Sequence, residues 1–236
     1  MRRIVASFVA ALVVAGCTTA SEPTLTVLAA ASLAEAFADL DPGEQVRYSF
    51  AGSQQLVAQV EAGVPADVVA TADEAAMDRL VRANLVETPV VFARNKLAIA
   101  VRPGNPGRIR VLADLARPGL RLALADGTVP VGRFAQQALQ KGSVRVRPVS
   151  LELDVKAVVS RVASGEAEAG IVYATDVTRA SGVEGVAIPD DLNVVATYPA
   201  AVVRAGANRP LARRFVFRLT GDRGRAALAA HGFLAP

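Results

Sequence analysis

The chain has 236 residues, with 26 lysines and arginines against 22 aspartates and glutamates, one cysteine, one histidine and no tryptophan. A single cysteine excludes an internal disulfide, and one histidine beside one cysteine excludes a His/Cys metal cluster. The formal charge of +4 is too mild to point to nucleic acid.

Arg2 and Arg3 precede an apolar run, residues 4–15, that meets Gly16 and Cys17. That is the layout of an export signal. The run is about half the roughly 20 residues a bilayer-spanning helix needs, so residues 1–16 read as a removable signal peptide. Their removal leaves 220 residues and a charge of +2, because two arginines leave with them. Val14-Ala15-Gly16-Cys17 resembles the lipobox of bacterial lipoproteins, which makes Cys17 the expected lipidation site and residues 17–23, small and polar, the tether to the folded part.

After the tether, strands and helices alternate. Residues 25–29 form a short apolar strand, and Ser32 and Glu35 have the S-x-x-E spacing of a capping box, with Leu33, Phe37 and Leu40 on one face. Residues 46–50 are strand-like, Gly52-Ser53 turns, and Ser53 caps a helix whose stripe is Leu56, Val57 and Val60, stopping at Gly63. A third strand, 67–71, leads to a helix opened by Asp73 and carrying Met77, Leu80 and Val81. The apolar run 90–101, interrupted by Arg94-Asn95-Lys96, is the first expected crossing between two lobes.

Residues 120–125 form the next strand, and Pro130 suits the first turn of a helix continued by Phe134, Ala138 and Leu139. Residues 144–147 are expected as a strand. Asp154 caps a helix with Val155, Val158, Val159 and Val162 on one face, ended by Gly165. The run 169–174 is apolar enough for a strand buried on both faces, and 194–203 reads as the return crossing. The arginines between Arg204 and Arg225 alternate with Leu211, Phe215, Phe217 and Leu219, a solvated helix face with no nucleic-acid role.

Such alternation predicts an α/β fold with mostly parallel sheets flanked by helices, and ligands in these sheets bind beyond the carboxyl ends of the strands. Ser32, Ser53, Val131 and Val155 all fall at predicted helix starts. Unpaired N–H groups and the positive dipole end there favour an anion.

Five segments occur in order: Ala29-Ala30-Ala31-Ser32-Leu33, Phe50-Ala51-Gly52-Ser53, Gly63-Val64-Pro65-Ala66-Asp67-Val68, Val129-Pro130-Val131-Gly132 and Gly170-Ile171-Val172-Tyr173. Together they resemble the periplasmic molybdate-binding family of ABC transporters. The resemblance implies a two-lobed, type II periplasmic-binding-protein fold joined by two crossing segments, with lobe I from 24–92 and 204–236 and lobe II from 93–203. It implies that Ser32 and Ser53 bind an oxyanion through hydroxyl and backbone N–H, Val131 and Val155 through backbone N–H, and Tyr173 through its hydroxyl. Molybdate or tungstate is then the ligand, with no cofactor and no residue ligating the metal directly. The implied partner is an ABC permease, and the implied state is an exported monomer held to the outer face of the membrane by lipid on Cys17.

Two positions depart from the family pattern. Gln54 stands where a second serine is common, and Val131 where alanine is common. A fully deprotonated oxyanion needs only donors, so a wall without an acidic acceptor excludes hydrogen phosphate, whereas sulfate differs only in size. Sulfate and phosphate are the alternative cargoes. The competing class is a serine hydrolase using Ser32 or Ser53, for which His231 is the one available base and no G-x-S-x-G elbow is present.

Overall fold

The fold begins with a mostly apolar strand, β1 (Leu25–Ala30), buried at every position but Thr26, as a strand with a neighbour on each side is. In the computed structural model, which describes residues 24–40 and 45–236, it takes β2 (Val46–Ala51) on one side and β3 (Val68–Ala70) on the other, both parallel. The signal peptide, Cys17 and the tether lie outside the described residues. Between the strands run α1 (Ala34–Ala38), α2 (Ser53–Glu61) and α3 (Glu74–Arg82). Leu56, Val57, Val60, Met77 and Leu80 from α2 and α3 pack with Leu28 and Val69 on one face of the sheet. Val81, expected in that stripe, is exposed.

The chain then leaves this lobe along β4 (Val90–Asn95) and enters the second as β5 (Leu97–Val101), with Lys96 alone between them. The second lobe repeats the plan: β6 (Leu122–Ala125), α4 (Pro130–Lys141), β7 (Ser150–Glu152), α5 (Val155–Ala163), β8 (Ala169–Tyr173), α6 (Ala174–Arg179) and β9 (Glu184–Ala187). β10 (Ala196–Val202) returns to the first sheet, and α7 (Arg209–Thr220) and α8 (Asp222–Ala230) follow. The sheet orders are β2-β1-β3-β10-β4 and β7-β6-β8-β5-β9. In each, the fourth strand is antiparallel to its neighbours and the rest share one direction. The predicted two-lobed α/β fold is therefore present.

Three local expectations need correction. Because β10 pairs with β3 and β4, and residues 93–95 pair with it, both ends of the expected lobe II (93–203) belong to the first sheet. The return crossing thus lies ahead of β10, in residues 188–195. Residues 144–147 are not a strand: Val144 and Val146 pack against the core, but the partner of β6 is Ser150–Glu152. The Ser32–Glu35 capping box is also absent. Ser32 lies inside a 3-10 turn, Ala31–Leu33, with Ala30 at its cap, and the Glu35 carboxylate reaches Lys156 in the other lobe. Cross-lobe charge attraction outcompetes a local bond to one amide.

Asp67 explains why one of the recurrent segments has a carboxylate in the core. Its Oδ2 accepts the Thr26 N–H at 2.8 Å and its Oδ1 the Asn208 N–H at 2.9 Å, tying the start of β1 to the start of α7. Gly132 is required by packing: a Cβ there would stand 2.5 Å from the Ala125 carbonyl oxygen and closer still to that of Asp126. Only glycine lets α4 start this close to the end of β6.

Candidate functional site

Six strand ends meet where the lobes face each other. Ala30, Ala31 and Ser32 follow β1, Gly52 and Ser53 follow β2, and Ala72 follows β3. From the second lobe come Val129, Pro130 and Val131 after β6, Asp154 and Val155 after β7, and Tyr173 at the end of β8. They enclose about 220 Å³ of empty space, mouth included. A space this small suits an ion and not a drug-sized molecule. All five residues singled out in the sequence, Ser32, Ser53, Val131, Val155 and Tyr173, line this one cavity.

The helix starts supply donors. Gly52 is the N-cap of α2, so Ser53 is its first residue and not the expected cap. Val131 is the second residue of α4, after Pro130, and Val155 the first of α5, capped by the Asp154 side chain. First-turn amides have no intrahelical acceptor. The Ser53 hydroxyl oxygen accepts the Ala72 N–H at 3.0 Å, which leaves its own hydrogen to be given elsewhere. Ser32 Oγ lies 3.1 Å from the Tyr198 hydroxyl.

Tyr173 is 1 % exposed, and its hydroxyl meets no hydrogen-bond partner of ordinary geometry among the described residues. Burial first, then the neighbouring Tyr198, Asp73 and Asp176, push its pKa well up, so it stays a neutral donor. A buried hydroxyl without a partner costs about 1–3 kcal/mol, and a ligand that accepts from it recovers that cost.

Asp154 puts one carboxylate at the wall, where none was expected. Its Oδ1 is committed to the Ala157 N–H at 2.9 Å. Among the described residues no cationic side chain lines the cavity. The nearest ion pairs instead bridge the lobes on its flanks: Arg133 of α4 with Asp73 of the first lobe, and Lys156 of α5 with Glu35 at 2.7 Å. Gln54 resolves its ambiguity in the same way, since its Nε2 donates to the Leu153 carbonyl across the cleft at 2.8 Å and its side chain does not reach the cavity wall. Gly52 allows that approach, because a Cβ would sit 2.5 Å from the same carbonyl oxygen.

Lys156 also pairs with the fully buried Asp176 at 2.9 Å, and Asp176 Oδ2 accepts the Tyr173 N–H at 3.1 Å. Burial raises the Asp176 pKa to about 6 against the pull of Lys156. The folded value exceeds that of the unfolded chain, roughly 4, so the folded state holds the extra proton between the two. Stability is greatest below this window and falls as pH rises through about 6. Asp176→Asn should flatten that slope, worth on the order of 2 kcal/mol, in melting curves taken across the window.

Sequence reading missed Asn95, Lys156, Asp176 and Tyr198. Asn95 and Tyr198 did carry a signal, as polar groups inside long apolar runs, where burial demands a partner. Nothing local marks Lys156 or Asp176.

Residues 20–234 match the model of the bacterial extracellular solute-binding protein family. The chain belongs to that family. Among its curated relatives, the molybdate-binding protein ModA of Mycobacterium tuberculosis is 38 % identical over 222 residues, covering 90 % of this chain and 85 % of the relative. ModA of Escherichia coli is 33 % identical over 241 residues, covering 93 % and 92 %. The periplasmic molybdate-binding protein of Azotobacter vinelandii shares the fold, with a TM-score of 0.81 at 23 % identity over 90 % of this chain and 99 % of that one. As a solute-binding protein the chain is a carrier and not an enzyme. The histidine required by a hydrolase is placed accordingly: His231 Nε2 meets Asp39 Oδ2 at 2.8 Å, while the Ser32 and Ser53 oxygens are engaged by Tyr198 and the Ala72 amide.

Proposed function

We infer that this solute-binding protein captures molybdate, and tungstate with it, and hands the ion to an ABC permease. The observation that carries this reading is the unpartnered Tyr173 hydroxyl in the wall of a small cavity ringed by helix starts from both lobes. Ser32 and Ser53 contribute hydroxyl and N–H, Val131 and Val155 contribute N–H, and Tyr173 contributes its hydroxyl. These neutral donors replace the hydration shell of a doubly charged tetrahedral anion, and closure of the lobes strips the remaining water. The names of the mycobacterial and enterobacterial relatives support molybdate as the cargo. The lipobox-like segment supports export and a tether through lipid on Cys17, and the family resemblance supports a monomer.

The direct test is a melting panel with molybdate, tungstate, sulfate and phosphate at neutral pH. A ligand at 100 times its Kd adds about 2.7 kcal/mol to the folded state, a rise of roughly 5–11 °C for a protein of this size. Molybdate and tungstate should both give it. Silence with both sinks the reading, and a rise with sulfate or phosphate alone reassigns the cargo.

A further inference from the structure

Both serines at the cavity have their oxygens occupied, but by different means. Ser53 accepts from a backbone amide, which can only donate. Ser32 faces Tyr198, a hydroxyl that can act either way. The direction of that bond is set one residue further back. Asn95 Oδ1 accepts the Lys96 N–H at 3.0 Å, which fixes the amide's orientation, and Nδ2 then faces Thr175 Oγ1 at 2.8 Å and Tyr198 Oη at 3.5 Å. An amide nitrogen has hydrogens and no lone pair to offer, so the Tyr198 oxygen accepts there. Its one hydrogen then goes to Ser32 Oγ, the acceptor at 3.1 Å, and not to the neighbouring Tyr173 hydroxyl, which it does not meet at ordinary hydrogen-bond geometry, and the Ser32 hydrogen is left for the cavity.

We propose that Tyr198, held by Asn95, is a positioning residue that locks Ser32 as a donor and so makes the cavity reject oxyanions that carry a proton. The inference rests on the molybdate reading above and assigns selectivity to two residues outside the cavity wall. Asn95 and Tyr198 are both fully buried, and Tyr198 is wedged edge-on between Phe233, with ring centres 5.3 Å apart, and Tyr173, at 5.8 Å. Burial also raises the Tyr198 pKa, keeping its proton in place. Asn95 ends β4 and Tyr198 lies in β10, so the two crossings between the lobes flank the relay. Without the Tyr198 hydroxyl, Ser32 Oγ is free to accept, and inorganic phosphate, which keeps at least one proton throughout the neutral range, gains the partner it lacks. Asp154 is the competing acceptor at the wall: its cap bond to Ala157 occupies Oδ1 and leaves Oδ2, so phosphate binding by the wild-type protein would assign the proton to Asp154 and not to the relay.

Tyr198→Phe, Ser32→Ala and the double variant, each checked for a cooperative melt, are titrated calorimetrically with molybdate and with inorganic phosphate. The expected result is a roughly tenfold weaker molybdate affinity for Tyr198→Phe together with measurable phosphate binding, so that the ratio of the two affinities falls by more than about tenfold. In the Ser32→Ala background, Tyr198→Phe should add nothing, because its effect runs through that hydroxyl. An unchanged affinity ratio, additive losses in the double variant, or phosphate binding by the wild-type protein would each overturn the relay. Absence of molybdate binding by the wild type overturns the functional reading itself, so the two failures are distinguishable.

Discussion

Tyr173→Phe is expected to weaken molybdate binding tenfold or more while the melting temperature of the ligand-free protein holds or rises. A hydrogen bond to a charged group contributes roughly 1.5–3 kcal/mol, which is a factor of about ten to a hundred or more. In the free protein the same hydroxyl is buried without a partner, so its removal relieves a desolvation cost. The ring stays, with its edge-on contact to Tyr198. Affinity and stability therefore move apart. Calorimetry and a melting curve on the same sample check the pair, and a joint fall would mean that the hydroxyl serves packing and not the anion.

The second large effect concerns a donor that has no side chain to delete. Val155→Pro should abolish or cut molybdate affinity at least tenfold with little loss of fold, because proline lacks the N–H that Val155 offers the cavity. The position tolerates the ring: Val155 is the first residue of α5, where an amide has no intrahelical partner and proline is favoured. Asp154 before it is extended, at φ −157° and ψ 170°, close to the range a residue preceding proline adopts. Val155→Ala keeps the N–H and should bind nearly as the wild type does. If Val155→Pro folds and binds equally well, the amide is not a ligand. Val131 does not permit the same experiment, since Pro130 before it is already helical.

The alternation of strands and helices, the helix starts at residues 53, 130 and 155, and the apolar run of β8 were legible in the sequence, because periodicity and capping residues act over a few neighbours. Predicted helix starts marked Ser32, Ser53, Val131 and Val155 as places that favour an anion, but only the family resemblance singled out all five cavity residues. Spacing alone left Ser32 and Ser53 as ordinary caps, and neither is one. Tertiary structure alone decided that β10 joins the first sheet, that Glu35 turns from its own helix to Lys156, and that Gln54 clamps the opposite lobe. It also decided that Asn95 and Tyr198, 103 residues apart, set the polarity of one serine. The physical reason is range: caps and stripes are settled by residues three or four apart, whereas a cross-lobe bond depends on where two separately folded sheets come to rest.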